Sequence, residues 1–198
     1  MNIRKQSVTG VDIPIQQLQD WLYPKLLTKW GLNDNNFNMY GRAYRNQTED
    51  GYTPEIYVGN NEYKEVYFDD TLSASAFFGV GEDTQIANSA SVTAPVYLTF
   101  MVDLSKIKSG NTRNDEEARV DVEQLAMKAG FGFTLTDVIL GIDNVFREYA
   151  GWRKSDGIKY RDQQPLHCFR LNFKCLYSFY QCYKVPNGFN YTLPLTLG

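Results

Sequence analysis

The strongest pattern of hydrophobic and polar positions lies between Leu166 and Phe179. From Phe169 onward every second residue is large and apolar, while the positions between them are mostly polar. The apolar set is Phe169, Leu171, Phe173, Cys175, Tyr177 and Phe179. A period of two predicts a β-strand with one face in a core and the other, which bears Arg170 and Lys174, turned to water or to a partner subunit. A strand of this length is expected to run through the middle of a sheet.

Other strands are indicated upstream. A second strong strand is predicted to begin at Pro95, with alternate apolar residues on one face, and two weaker runs cover Phe37–Asn46 and Pro54–Asp69. Within the last run, Gly59 and the asparagines that follow it predict a tight hairpin turn. The apolar set of the second strand is Val96, Leu98, Phe100, Val102 and Leu104.

Three segments show helical spacing after a polar arm at residues 1–11. The first helix is predicted to begin at Asp12 and to end before Gly31, with Pro24 expected to kink or split it. The second is predicted over 115–129, where acidic residues lie in the first turn. The third is predicted over 134–149 from a wide apolar stripe.

Residues 71–93 are rich in Ser, Ala, Gly and Asn, and they predict a long loop with an apolar tip at Phe77, Phe78 and Val80. An exposed pair of phenylalanines is costly in water, so a partner surface is the favoured explanation. The alternative is that the tip folds back onto the core of its own chain.

The last fifteen residues predict an extended arm over 184–198, where apolar residues alternate with small ones. Its candidate interface residues are Phe189, Tyr191, Leu193, Leu195 and Leu197. The resulting organisation is one α+β domain over 1–183, with the loop inserted at 71–93, followed by the arm. The order of elements predicts a mostly antiparallel sheet with helices on one face.

Composition narrows the function classes. The net charge of −3 gives no basic excess, so nonspecific binding of nucleic acid through overall charge is not expected. The fourteen tyrosines favour protein contacts. The N-terminal residues lack the apolar run of a signal peptide, and no segment has the roughly 18 apolar residues of a membrane helix. Synthesis in a cytoplasm, without a membrane partner, is therefore expected.

Sequence motifs of catalysis are missing. The chain has one histidine, His167, and contains neither a nucleophile-elbow motif, a zinc-protease motif, a phosphate-binding glycine loop nor a dinucleotide fingerprint. Cys168, Cys175 and Cys182 are seven residues apart, which places neighbouring cysteines on opposite faces of a strand and predicts buried, reduced thiols. No catalytic residue, metal or cofactor is expected, and a small enzyme is the least supported hypothesis.

One segment interleaves aromatic and basic residues. If residues 40–46 form a strand, Tyr40, Arg42 and Tyr44 share a face that is suited to stacking on bases or to contacting a protein. Without a basic excess, a protein interface is favoured. Single-stranded nucleic-acid binding by these residues and Arg45 is the alternative function.

The order of these elements resembles the tail-terminator, or tail-completion, fold of tailed bacteriophages. That order is a leading helix, a strand hairpin with long loops, another strand, a helical segment and a closing strand. The segments around Ile13–Tyr44 and Asp115–Tyr183 are also similar to virion ring proteins of crAss-like gut phages.

The resemblance implies a non-enzymatic subunit of a head–tail connector ring in the virion, at the portal–tail vertex. Its partners would be identical copies, in a ring of twelve or alternatively six, and adjacent portal or tail ring proteins. DNA would pass through the lumen without sequence-specific contact. The host bacterial cytoplasm is the implied place of synthesis.

Overall fold

The computed structural model describes residues 1–60, 62–66, 71–82, 84–88, 90–107, 115–154 and 165–178. Its elements are β1 (Asn2–Ile3), α1 (Asp12–Trp30), β2 (Phe37–Thr48), β3 (Gly51–Gly59), β4 (Glu62–Glu65), β5 (Ala74–Val80), β6 (Gln85–Asn88), β7 (Ser91–Asp103), α2 (Asp115–Ala129), β8 (Phe133–Leu140), α3 (Ile142–Val145), α4 (Ala150–Lys154) and β9 (Leu166–Ser178). The strands form one sheet in the order β4-β3-β2-β5-β7-β9-β8, with β1 beside β2 and β6 beside β7.

The predicted α+β class with a mostly antiparallel sheet is confirmed. Only the β1–β2 and β2–β5 pairs are parallel among the described strands. The two strongest sequence patterns form the longest pair, because β9 and β7 are hydrogen-bonded from Leu166 opposite Asp103 to Ser178 opposite Ser91. Phe100 and Phe169 are directly opposite each other in this pair and stack with ring centroids 5.1 Å apart.

The first core lies on the face of the sheet that α1 and α2 cover. It takes the apolar set of β7 and, from β9, Phe169, Leu171, Phe173 and Cys175, with Tyr177 packed against them, as their period predicts. Phe179 of the predicted set lies outside the described residues. Helix α1 ends at Gly31, which has a left-handed conformation and donates its N–H to the carbonyl of Leu27. Because α1 continues through Pro24 as one helix, the predicted split at that residue is wrong. Trp30 joins the helices by donating to Asp121 of α2 over 3.0 Å.

A second core occupies the opposite face, where the sequence pattern predicts water or a neighbour. It is built from the alternate residues of the same strands and is closed by the short segments around α3 and α4. Its aromatic members are Tyr40, Phe77, Tyr97, Phe146, Tyr149 and Trp152. Helices therefore lie on both faces of the sheet, the two long ones on one face and the two short ones on the other.

The predicted loop at 71–93 is wrong. This stretch contains β5, β6 and the start of β7, and β5 lies inside the sheet between β2 and β7. The alanines, serine and glycine of β5 are compatible with a strand that is covered on both faces. Phe78 packs in the first core and Phe77 in the second, so the alternative that the segment folds onto its own chain is the one observed.

The predicted helix over 134–149 is also wrong. Residues 133–140 form β8, which pairs antiparallel with β9, and only the four residues of α3 and the turn after them follow. A register shift between Leu135 and Asp137 moves Leu135 and Val138 to the same face, next to the first core. This β-bulge produces an i, i+3 apolar spacing in a strand, which imitates helical spacing.

The remaining predictions have mixed outcomes. The hairpin turn after β3 is confirmed, with positive φ at Gly59 and Asn60. The polar arm at 1–11 is partly replaced by β1, which pairs with β2. Cys168 lies in the second core and Cys175 in the first, so their predicted opposite orientation is confirmed. Residues 184–198 lie outside the described part of the chain, and the predicted arm stays a prediction.

Candidate partner interface

Several predicted interface residues are enclosed by their own chain. Phe77 and Phe78 are both 0% exposed, and their predicted role at an exposed tip is therefore wrong. Val80 is half-buried against the first core. The candidate residues from Phe189 to Leu197 lie outside the described ranges.

A β-bulge separates the predicted aromatic and basic residues of β2. The register with β5 shifts between Met39 and Arg42, so Tyr40 turns into the second core while Arg42 and Tyr44 lie on the opposite face. The prediction that Tyr40 shares a face with Arg42 and Tyr44 is wrong for this reason. Arg42 and Tyr44 do remain together, and both are half-buried.

Tyr44 belongs to a larger array of aromatic side chains, with Arg42 beside it. We call this array the tyrosine surface, and it is formed by Tyr44 on β2, Tyr57 on β3 and Tyr63 on β4. The Tyr63 ring lies 6.3 Å from that of Tyr44, edge to face, and 5.1 Å from that of Tyr57. Tyr63 is 57% exposed. The array places three aromatic rings side by side on an exposed part of the sheet.

One end of the tyrosine surface is basic. The Arg42 guanidinium lies 4.8 Å from the Tyr44 ring centroid, and Lys5 donates to the Tyr44 hydroxyl over 2.6 Å. Lys5 also pairs with buried Asp12, whose other carboxylate oxygen lies 3.7 Å from Arg42. Burial lowers the pKa of Lys5, but its bonds to Asp12 and Tyr44 outweigh that effect and raise the pKa above its usual value. Two cations against one carboxylate leave this end positive.

The other end is acidic. Glu55 on β3 lies directly opposite Glu65 on β4, and Asn46 donates to Glu55 over 2.7 Å. Partial burial and the charge of Glu55 raise the pKa of Glu65. Like charges in directly opposite positions are unfavourable in a sheet. The tyrosine surface therefore has a positive side at β1 and β2 and an acidic pair on β3 and β4, with Glu55 directly opposite Tyr44.

Arg170 has a different environment from the one predicted. It is only 5% exposed and lies with its guanidinium carbon 3.7 Å from the Tyr97 ring centroid. Its Nη atoms donate to both carboxylate oxygens of Glu148 at 2.8 and 3.2 Å, and its Nε donates to Asn172 at 2.8 Å. A bidentate pair of this kind fixes the turn after α3 on β9. Arg170 is therefore an internal contact, whereas Lys174 on the same strand is exposed.

The Arg170–Tyr97 stack forms the floor of a cleft on the second face. Two cavities of about 400 and 410 Å³ meet at these two residues. Tyr97 lies across Gly79, where a Cβ atom would collide with its ring, and its hydroxyl is 2.8 Å from that of Tyr149. Burial, and then the neighbouring Tyr149, raise the pKa of Tyr97. The phenols therefore stay protonated at neutral pH, and they serve as a buried hydrogen-bonded pair.

The functional residues that sequence reasoning missed come from separate strands. Tyr57 and Tyr63 follow the hairpin alternation, so the sequence contains a signal for their common face with Tyr44 once the register is known. Lys5 reaches Tyr44 only because β1 pairs with β2, and no pattern around Lys5 indicates that contact.

Clusters of metal ligands and membrane-spanning helices are both absent from the residues that the structure describes. Among them, no group of three or more His, Cys, Asp or Glu side chains could hold a metal ion. Across the same residues, no helix combines the length and apolar character needed to cross a membrane. A scan against protein-family models gives no match, and a search of curated proteins finds no significantly similar sequence.

Proposed function

We propose that this chain is a structural, non-enzymatic subunit of an oligomeric ring in the portal–tail assembly of a tailed bacteriophage. The proposal rests first on the resemblance in element order. The structure contains a leading helix, the β2–β3 hairpin, the strand β7, the helix α2 and the closing strand β9 in that order, with β4, β5 and β6 between the hairpin and β7, and with β8, α3 and α4 between α2 and β9. Its place would be the virion, around the DNA channel, after synthesis in the host cytoplasm.

The observation that carries the assembly role is the tyrosine surface. Tyrosine and arginine are the residues that most often anchor protein interfaces, because they bury a large area with few rotatable bonds. The positive side at β1 and β2 and the acidic pair on β3 and β4 give such a surface an orientation toward its partner. Identical copies, twelve or alternatively six, and adjacent portal or tail ring proteins are the proposed partners.

The test is the size of the purified assembly. Light scattering after gel filtration and negative-stain images are expected to show rings, alone or with the cognate portal complex. Tyr63→Ser should weaken association about 30-fold, as expected for an anchor worth about 2 kcal/mol. Tyr52→Ser is the matched control, because Tyr52 is 41% exposed on the opposite face of the same hairpin. A protein that stays strictly monomeric, both alone and with the portal complex, would contradict the proposal.

A second candidate is binding of single-stranded nucleic acid, which the three tyrosines beside Lys5 and Arg42 favour. Bases stack on aromatic side chains, and the two cations would contact phosphates. Tyr40 is no longer part of this hypothesis. Titration of a fluorescent oligothymidine should show binding that weakens with salt and with Tyr44→Ala, but not with Tyr52→Ala. Lack of binding at low salt would end this alternative.

A further inference from the structure

The outer side of β8 is an open sheet edge in the described part of the chain. Among the described residues, β9 is the only strand that pairs with β8. The backbone N–H and C=O groups on the other side of β8 therefore have no neighbouring strand among the described residues. An edge of this kind readily accepts an added strand.

The apolar layer of the first core is unfinished at the same edge. Four residues of β8 lie opposite apolar positions of β9 in this layer, yet each keeps part of its surface exposed. They are Phe133, Leu135, Val138 and Leu140, the last of which is 46% exposed. A further strand with apolar residues on this side would cover the row and extend the core by one strand.

The sequence contains a segment with the required pattern. From 189 to 197 every odd position is apolar and every even position is polar or proline. Pro194 belongs to the even set and has no N–H. Because backbone groups of alternate residues point to opposite sides of a strand, the odd residues can bond to β8 while Pro194 faces away. Proline is compatible with a strand in that position only if the strand lies at an edge.

The connection is long enough to reach another copy. The described chain ends at Ser178, beside the start of β8, where Leu176 donates to the carbonyl of Gly132 over 2.9 Å. Ten residues separate Ser178 from position 189, and they span up to about 33 Å when extended. A domain of this size is about 40 Å across, so the segment can reach a neighbouring subunit that packs beside the β8 edge, but not one on the far side of the domain.

We propose that residues 189–197 of one copy add an edge strand to β8 of a neighbouring copy. Their apolar side would lie over Phe133, Leu135 and Val138, and their polar side would continue the face that carries Thr134. This inference rests on the proposed ring, because it needs a neighbouring copy, and it names the contact that joins the copies.

Cysteine cross-linking between co-expressed copies tests the pairing. In a Cys182→Ser background, one copy carries Thr134→Cys and a size tag, and the other carries Thr192→Cys. Oxidation of the assembled protein should link the two kinds of copy. Because the register can differ by two or four residues, Asn190→Cys and Thr196→Cys complete the series. Lys64→Cys on β4, at the far edge of the sheet, replaces Thr134→Cys as the control and should give no link.

The outcomes separate the inference from the proposed function. Rings that form without a cross-link at any of the three positions would overturn the inference alone. A chain that carries both cysteines and closes on itself would also overturn it, since the segment would then pair within its own copy. A protein that forms no assembly would overturn the proposed function as well.

A second pair of variants tests the side of the strand that matters. Leu193→Asp with Leu195→Asp should reduce the assembled fraction at least tenfold, because both charges would face the first core. Thr192→Asp with Thr196→Asp is the matched control on the polar side, and it should change that fraction less than twofold. Equal effects of the two pairs would contradict the proposed orientation.

Discussion

The cores on the two faces of the sheet differ in the kinds of side chain that fill them. Phe78 and Phe77 are adjacent residues of β5, and each is fully buried in a separate core. The first core is nearly all apolar and lies under two long helices. The second is mainly aromatic, is closed by two short helical segments, and includes the Arg170–Glu148 and Tyr97–Tyr149 pairs at its border.

The comparison shows that a polar residue at an alternate strand position does not identify a solvent-facing side. Arg170 lies between Phe169 and Leu171 and is almost as buried as they are. Its charge is compatible with burial because Glu148, Asn172 and the Tyr97 ring contact it. Satisfied polar groups of this kind fix one arrangement of the second face, whereas the first face depends mainly on apolar packing, with the Trp30–Asp121 bond between its helices.

The largest expected effect comes from removing either phenylalanine. Phe78→Ala and Phe77→Ala should each lower the free energy of unfolding by about 3–5 kcal/mol, because each leaves a cavity in a core. Urea denaturation followed by circular dichroism measures the loss. A change below about 0.5 kcal/mol for either variant would instead fit an exposed position.

The next effect separates the polar pair from the apolar packing. Glu148→Ala should cost about 2–3 kcal/mol, since it leaves the Arg170 guanidinium buried without its carboxylate. Adding Arg170→Met to that variant should recover part of the loss, because the unpaired charge is removed. If the double variant is less stable than Glu148→Ala alone, the pair contributes mainly through packing.

Alkaline pH should weaken the fold through the tyrosine pair of the second face. Burial raises the pKa of Tyr97 and of Tyr149 above the usual value, so their protonated forms stabilise the fold below about pH 10. Above that pH the unfolded chain loses these protons first, and each tyrosine should cost about 1.4 kcal/mol per pH unit until its folded pKa is reached. Tyr97→Phe with Tyr149→Phe should reduce this slope in denaturation measured from pH 9 to 11. An unchanged slope would contradict the assignment.

The smallest effect concerns the tyrosine surface. Partial burial and the opposing Glu55 raise the pKa of Glu65, so its charged form opposes folding at pH 7. Glu65→Gln should therefore stabilise the fold by a few tenths of a kcal/mol after solvent screening, and the gain should vanish below about pH 4. Glu62→Gln, opposite Gly59, is the control and should show no gain. A loss of stability in Glu65→Gln would mean that its charge is paired.

Prediction from sequence succeeded where one period continues without interruption. Strand β9, strand β7 and helices α1 and α2 follow a constant alternation or helical spacing along their buried sides. It failed at two bulges. The shift in β8 imitates helical spacing, and the shift after Met39 in β2 moves Tyr40 to the face opposite Arg42. A bulge is selected by the neighbouring strand, so the local sequence gives little sign of it.

Only part of the tyrosine surface could be predicted from the sequence, for a related reason. Arg42 and Tyr44 are neighbours in sequence, whereas Tyr57, Tyr63 and Lys5 reach them through strand pairing. Burial of β5 was missed because its small residues look like a loop. Small residues fit this strand because it is covered on both faces. At Gly79 a Cβ atom would collide with the ring of Tyr97.

The sequence by itself determined the α+β class, the two longest strands and the helices over the first core, because each rests on the side-chain period of a single segment. Only the tertiary structure decided which polar positions are buried and which tyrosines meet. Those outcomes depend on register between strands that are distant in the chain, and register is set by the packing of all of them together.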